Sequence, residues 1–157
     1  MRRFITEAFA VLSLAVFIAC MLSDRGTTDR SVFEIVESLE EEKLLAPEDR
    51  SSGLMLRRCF GLEEEDFEGV YYAGPKSFLD VDDIVIIKES DPEKRSMAFS
   101  AFRKRIAEQE KVFASYGPAQ MDLLSRAVVW EKGDYAVLVI GHEEEQLMAA
   151  VRALIER

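Results

Sequence analysis

Met1-Arg2-Arg3, a mostly apolar run from Ala8 to Ala19, and then Cys20 open this chain. A helix that is greasy on every face has no solvent side, so it cannot lie on the surface of a water-exposed domain. A basic start ahead of such a run is the form of an export signal rather than of a core helix. The first twenty residues are therefore set apart from the fold, and the domain has to be built from the residues beyond Cys20.

Three readings of this leader differ in what happens at its end. The residues Phe17-Ile18-Ala19-Cys20 are similar to the lipobox of bacterial lipoprotein signals, with a small residue before the cysteine and Phe17 where leucine is usual. There the Cys20 thiol would carry a diacylglycerol after cleavage. At about 0.8 kcal/mol per buried methylene, two or three acyl chains anchor a domain where one does not. An uncleaved anchor is the alternative, but a span needs roughly 20 apolar residues. Ala8 to Leu22 supplies 15, with Glu7 blocking extension toward Phe4. Ordinary signal cleavage ranks third, because no Ala-x-Ala pattern closes the run. The expected location is the extracytoplasmic face of the cell membrane, lipid-anchored, or held by a single N-terminal span.

Taking twenty residues from 157 leaves about 137, the size of one domain. The organisation expected is a signal or anchor over 1–20, a tether over 21–30 containing Gly26-Thr27-Thr28, and one domain over 31–157. Losing Arg2, Arg3 and Glu7 moves the net charge from -10 to -11. An acidic body without clustered Lys and Arg excludes nucleic acid and direct adhesion to anionic lipid as partners. With Cys20 lipidated, Cys59 is the one remaining thiol, so no internal disulfide forms. Packed beside Arg57 and Arg58, it reads as a buried, inert cysteine.

Along the mature chain, Ser31-Val32-Phe33-Glu34 is a capping box. It opens an amphipathic helix over about 31–43 with Val32, Ile35 or Val36, and Leu39 inward. A short helix closed by Gly61 comes after the Pro47–Gly53 loop. Residues 67–73 and 81–88 read as strands, the second with branched residues on both faces. Asp91-Pro92-Glu93 then starts a long helix. Its stripe of Ala98, Phe102, Ile106, Gln109, Phe113 and Tyr116 ends at Gly117-Pro118. A short segment with Met121, Leu123 and Leu124 precedes a hairpin of 127–130 and 135–140 about Gly133-Asp134. A last helix spans roughly 143–155. The order predicts an α+β fold, an antiparallel sheet of about four strands with helices packed mainly on one face.

The Asp82-Asp83-Ile84-Val85-Ile86-Ile87-Lys88 strand, Gln109 with Phe113 and Tyr116-Gly117-Pro118, and Gly133-Asp134-Tyr135 through Ile140 resemble a known family. Over roughly 31–155 the chain is similar to the bacterial domain of unknown function 4358, found largely in lipoproteins and membrane-anchored proteins of Gram-positive bacteria. Its motifs are strand patterns and turns, and the resemblance implies location and fold, since the family has no established activity.

Catalytic arrangements are not legible. His142 is the single histidine and sits at a strand-to-helix junction. A metal site would need further ligands at suitable spacing, and none is present, so no metal or cofactor is expected. No nucleophile elbow or phosphate-cradling loop occurs. Asp80, Asp82 and Asp83 lie at one end of their strand and Glu89 and Asp91 at the other, roughly 20 Å away at about 3.3 Å per residue. They read as surface acids, with weak calcium binding by Asp80 and Asp82 as the alternative. Gln109, the one polar residue of its stripe, reads as the partner of a buried backbone group, or as lining a small pocket with Tyr116 and Trp130. The resulting expectation is a non-enzymatic module that binds a protein or small ligand. The alternative is a membrane-anchored enzyme acting on cell-envelope material through acidic residues. Carboxylates from distant segments converging in a concavity would favour the enzyme, and an apolar patch with a polar rim the binding module.

Overall fold

A computed structural model describes residues 29–156. The leader, Cys20 and most of the tether lie outside the described residues. The domain runs α1 (Val32–Glu41), α2 (Gly53–Phe60), β1 (Gly69–Ala73), β2 (Asp83–Lys88), α3 (Pro92–Phe113), α4 (Pro118–Ser125), β3 (Val128–Lys132), β4 (Tyr135–Ile140) and α5 (Glu144–Ile155), with single 3-10 turns at Pro47–Asp49 and Glu64–Asp66.

Local chemistry places these boundaries. The capping box of α1 is formed: the Glu34 N–H donates to Ser31 Oγ at 3.2 Å, and the Ser31 N–H donates to Glu34 Oε2 at 2.7 Å. In α3 the Asp91 carboxylate accepts from the Glu93 N–H at 2.8 Å, with Pro92 in the first turn. Strands β3 and β4 meet across Gly133-Asp134, where Gly133 takes a φ of 55°. That positive φ at the first central position is the mark of a type II′ hairpin turn, which a Cβ would strain.

The four strands form one antiparallel sheet in the order β1-β2-β4-β3. The fold is α+β with a four-stranded antiparallel sheet, as the sequence predicts. The helices, expected mainly on one face, divide between the two. On one side α2, α3 and α4 send Leu56, Phe60, Phe102, Phe113 and Leu124 against Val85, Ile87, Ala136 and Leu138. On the other, α1 and α5 send Ile35, Leu39, Leu147 and Val151 against Tyr71, Ile86, Val137 and Val139. The cause is the centre of the sheet. All six residues of β4 are buried, and a strand apolar on both faces must be covered on both. Fully burying one such side chain contributes about 1.5–3 kcal/mol, so an uncovered face would cost more than the domain could bear.

Candidate functional site

Where α1 crosses β1, the structure holds a groove of about 440 Å³. Gly69 permits the crossing, since a Cβ there would stand 3.0 Å from Val32 Cγ2. The floor is Gly69, Val70 and Tyr71, one wall is the Ser31–Glu40 face of α1, and the other is Pro47, Arg50 and Glu64. Apolar surface comes from Phe33, 70 % exposed, with Val36 and Pro47. Four carboxylates (Glu37, Glu40, Glu64, Glu68) and one guanidinium (Arg50) line it. Arg50 Nη2 reaches Glu64 Oε1 at 3.3 Å across the mouth.

The edge of β1 opens into this groove. Tyr72 turns its carbonyl away from β2, where it accepts from the Ser51 N–H at 2.7 Å. Outward and inward groups alternate in an antiparallel ladder. Val70 therefore presents both its N–H and C=O outward, and Tyr72 its N–H. No described residue pairs with these three groups. The Tyr71 hydroxyl is buried at the groove and has no hydrogen-bond partner among the described residues. Burial, with Asp49 and Glu40 nearby and Arg50 opposing, pushes this phenol up to about 12.

A second polar cluster lies beneath the other face of the sheet. Asp83, fully buried, accepts from Arg105 Nε at 3.0 Å and from the Tyr72 hydroxyl at 3.0 Å. Burial pushes the Asp83 carboxyl up to about 6, and Arg105 and Tyr72 pull against that rise. Tyr72 is pushed up by its burial, by Asp83, and by the adjacent Cys59 thiol. The Arg105 guanidinium lies 5.8 Å over the Phe60 ring. In the orientation that satisfies both groups, the Gln109 carboxamide oxygen accepts from both Arg105 Nη atoms at 2.7 Å. The network ties β2 to α3 and β1 inside a core.

Gln109, Tyr116 and Trp130 are not brought together. Gln109 belongs to the Arg105 network on α3 rather than to a buried backbone group. Tyr116 is 64 % exposed past the end of α3, its ring against Phe113. Trp130 packs on the opposite face of the sheet, with Arg152 at 5.7 Å over its ring. Strand alternation separates them: Trp130 faces the α1 and α5 side, whereas α3 covers the other. Cys59 is half-buried against the core. His142 lies between β4 and α5, in a surface concavity with Arg126 and Glu143 to Gln146. Among the described residues no group of three or more His, Cys, Asp or Glu could hold a metal ion. Asp83 is not the surface acid the sequence suggests. It shares the two-residue alternation of Val85 and Ile87, which was a legible sign that its side chain faces the core. Arg105, between Phe102 and Gln109 on the α3 stripe, carries the complementary sign.

Fold and site together define a helix-covered antiparallel sheet with one open edge beside an acidic groove. A family model described as a domain of unknown function (DUF4358) matches residues 42–141, more than half of the chain, and the chain belongs to that family. The matched range takes in all four strands and α2 to α4. No curated protein and no solved structure matches it. Among the described residues no helix is long and apolar enough to cross a membrane.

Proposed function

We propose that the protein is an extracytoplasmic lipoprotein whose head is a non-enzymatic binding module, held at the cell membrane through Cys20. The observation that carries the binding role is the groove between α1 and β1, where unpaired backbone groups, exposed apolar surface and a charged rim occur together. The Phe17-Ile18-Ala19-Cys20 motif supports the anchor. The anchor is tested by Cys20→Ala with fatty-acid labelling and membrane fractionation. Label confined to the wild type, with release of the variant or accumulation of its precursor, is the expected result. Unchanged mass and membrane retention in the variant would instead favour an uncleaved span.

One observation favours a membrane-anchored enzyme acting on cell-envelope material: Glu37 and Glu40 of α1 share the groove with Glu64 and Glu68 from a distant segment. Against it, Glu64 is engaged by Arg50, and Ser90 donates to Glu68 from both hydroxyl and backbone, holding that carboxyl below its usual range. A general acid needs the opposite shift. Release of soluble fragments from purified cell wall, lost in Glu37→Gln/Glu40→Gln, would establish the enzyme reading.

A further inference from the structure

We propose that the partner is an extended, basic peptide segment of another protein, which adds to the open edge of β1 as a fifth strand; this rests on the binding-module reading above and names its ligand class. The sheet has two edges, and they differ in how they are guarded. Strand β3 carries Glu131 and Lys132, charges of the kind that discourage edge-to-edge pairing, and Glu131 is held by Arg95 at 3.0 Å. Strand β1 reads Gly-Val-Tyr-Tyr-Ala, without a charge; Ser51 caps its far end, donating to the Tyr72 carbonyl at 2.7 Å and accepting from the Gly74 N–H at 2.9 Å, and the Gly69–Tyr71 stretch is left bordering the groove. Its outward Val70 N–H and C=O are spaced to exchange two hydrogen bonds with one residue of an incoming strand, and the Tyr72 N–H offers a third. Peptides recognised by strand addition take affinity from such bonds and specificity from alternate side chains.

Charge then selects the occupant. The groove sets four carboxylates against one guanidinium, and that guanidinium is already paired with Glu64. A second copy of this chain, with a net charge of -10, would bring like charge to like. In strand addition the residue opposite Val70 shares its face of the sheet. Its two neighbours project to the other face, the side of α1 that carries Glu37 and Glu40. The pattern fitted is a basic residue, a small or β-branched apolar residue, and a second basic residue.

The test uses the full chain in nanodiscs of neutral lipid, with hydrogen exchange read residue by residue. The probe is acetyl-Lys-Val-Lys-Val-Lys-amide, compared with its fully N-methylated form and with acetyl-Glu-Val-Glu-Val-Glu-amide. Exchange at the Val70 and Tyr72 amides should slow saturably with the lysine peptide alone. Glu37→Gln/Glu40→Gln should weaken its apparent affinity about tenfold, the scale for losing two partly exposed charge pairs. No slowing at millimolar peptide, or equal slowing with the methylated or acidic peptide, would overturn the proposal. So would edge protection without peptide, whether it rises with chain concentration (a second copy) or is independent of it (the chain's own leader or tether). Failure of the anchor reads separately, as a chain that does not co-elute with the discs while its β1 amides still respond.

Discussion

Replacing Arg105 with methionine keeps an unbranched apolar stem but removes the guanidinium, and with it the contact over the Phe60 ring, so the pH dependence is what separates charge from contact. In the native protein burial holds the Asp83 carboxyl up to about 6, against an ordinary value of 3.8. The folded state therefore takes up this proton at a higher pH than the unfolded chain. The stability it contributes is full below about pH 3.8 and is lost as the pH rises through about 6. A gap of roughly two pH units corresponds to about 3 kcal/mol, the residual cost of ionising Asp83 even with Arg105 beside it. Without Arg105 that cost rises, since the carboxylate is fully buried and keeps only the Tyr72 hydroxyl. Breaking a buried pair from one side costs about 3–5 kcal/mol, a fall in Tm of roughly 10–15 °C for a domain of this size. Thermal unfolding by near-ultraviolet circular dichroism should show this loss at pH 7.5. At pH 5, where Asp83 is protonated in the variant, the difference from wild type should shrink by half or more. The double variant Asp83→Asn/Arg105→Met should recover most of it at pH 7.5. An equal loss at both pH values would refute the reasoning and assign the effect to lost contacts with the Phe60 ring.

Two neighbouring tyrosines make a paired prediction. Tyr72→Phe removes a hydroxyl bonded to a carboxylate and should cost about 1.5–3 kcal/mol in urea unfolding, whereas Tyr71→Phe removes a buried hydroxyl with no described partner and should be neutral or stabilising. At the hairpin, Gly133→Ala places a Cβ at a φ of 55° and should cost about 1–2 kcal/mol, read as a lower urea midpoint at unchanged slope.

The local elements were legible because their determinants are local. Ser31 and Glu34 form their capping box from residues three apart, Asp91 and Pro92 start α3 within one turn, and Gly133 closes the hairpin between adjacent strands. The positions of whole faces were less so. Branched residues on both faces of 81–88 already implied two covers, yet nothing in the order of elements says which helix goes to which side. Trp130 illustrates the consequence: a stripe on a helix and a residue on a strand cannot be assigned to one pocket until the strand's face is known.

By itself, then, the sequence determined the leader motif at Phe17 to Cys20, the α+β class, the strand and helix boundaries to within a few residues, and the acidic balance. These depend on periodicity, capping and charge, which act over a few residues or sum over the chain. Only the tertiary structure decided that Asp83 is a buried partner of Arg105 and Tyr72, and that β1 is an edge. It also set Glu37 and Glu40 beside Glu64 and the Val70 backbone. Strand order and burial arise from contacts between residues far apart in the chain, and those distances are fixed only when the two cores close around the sheet.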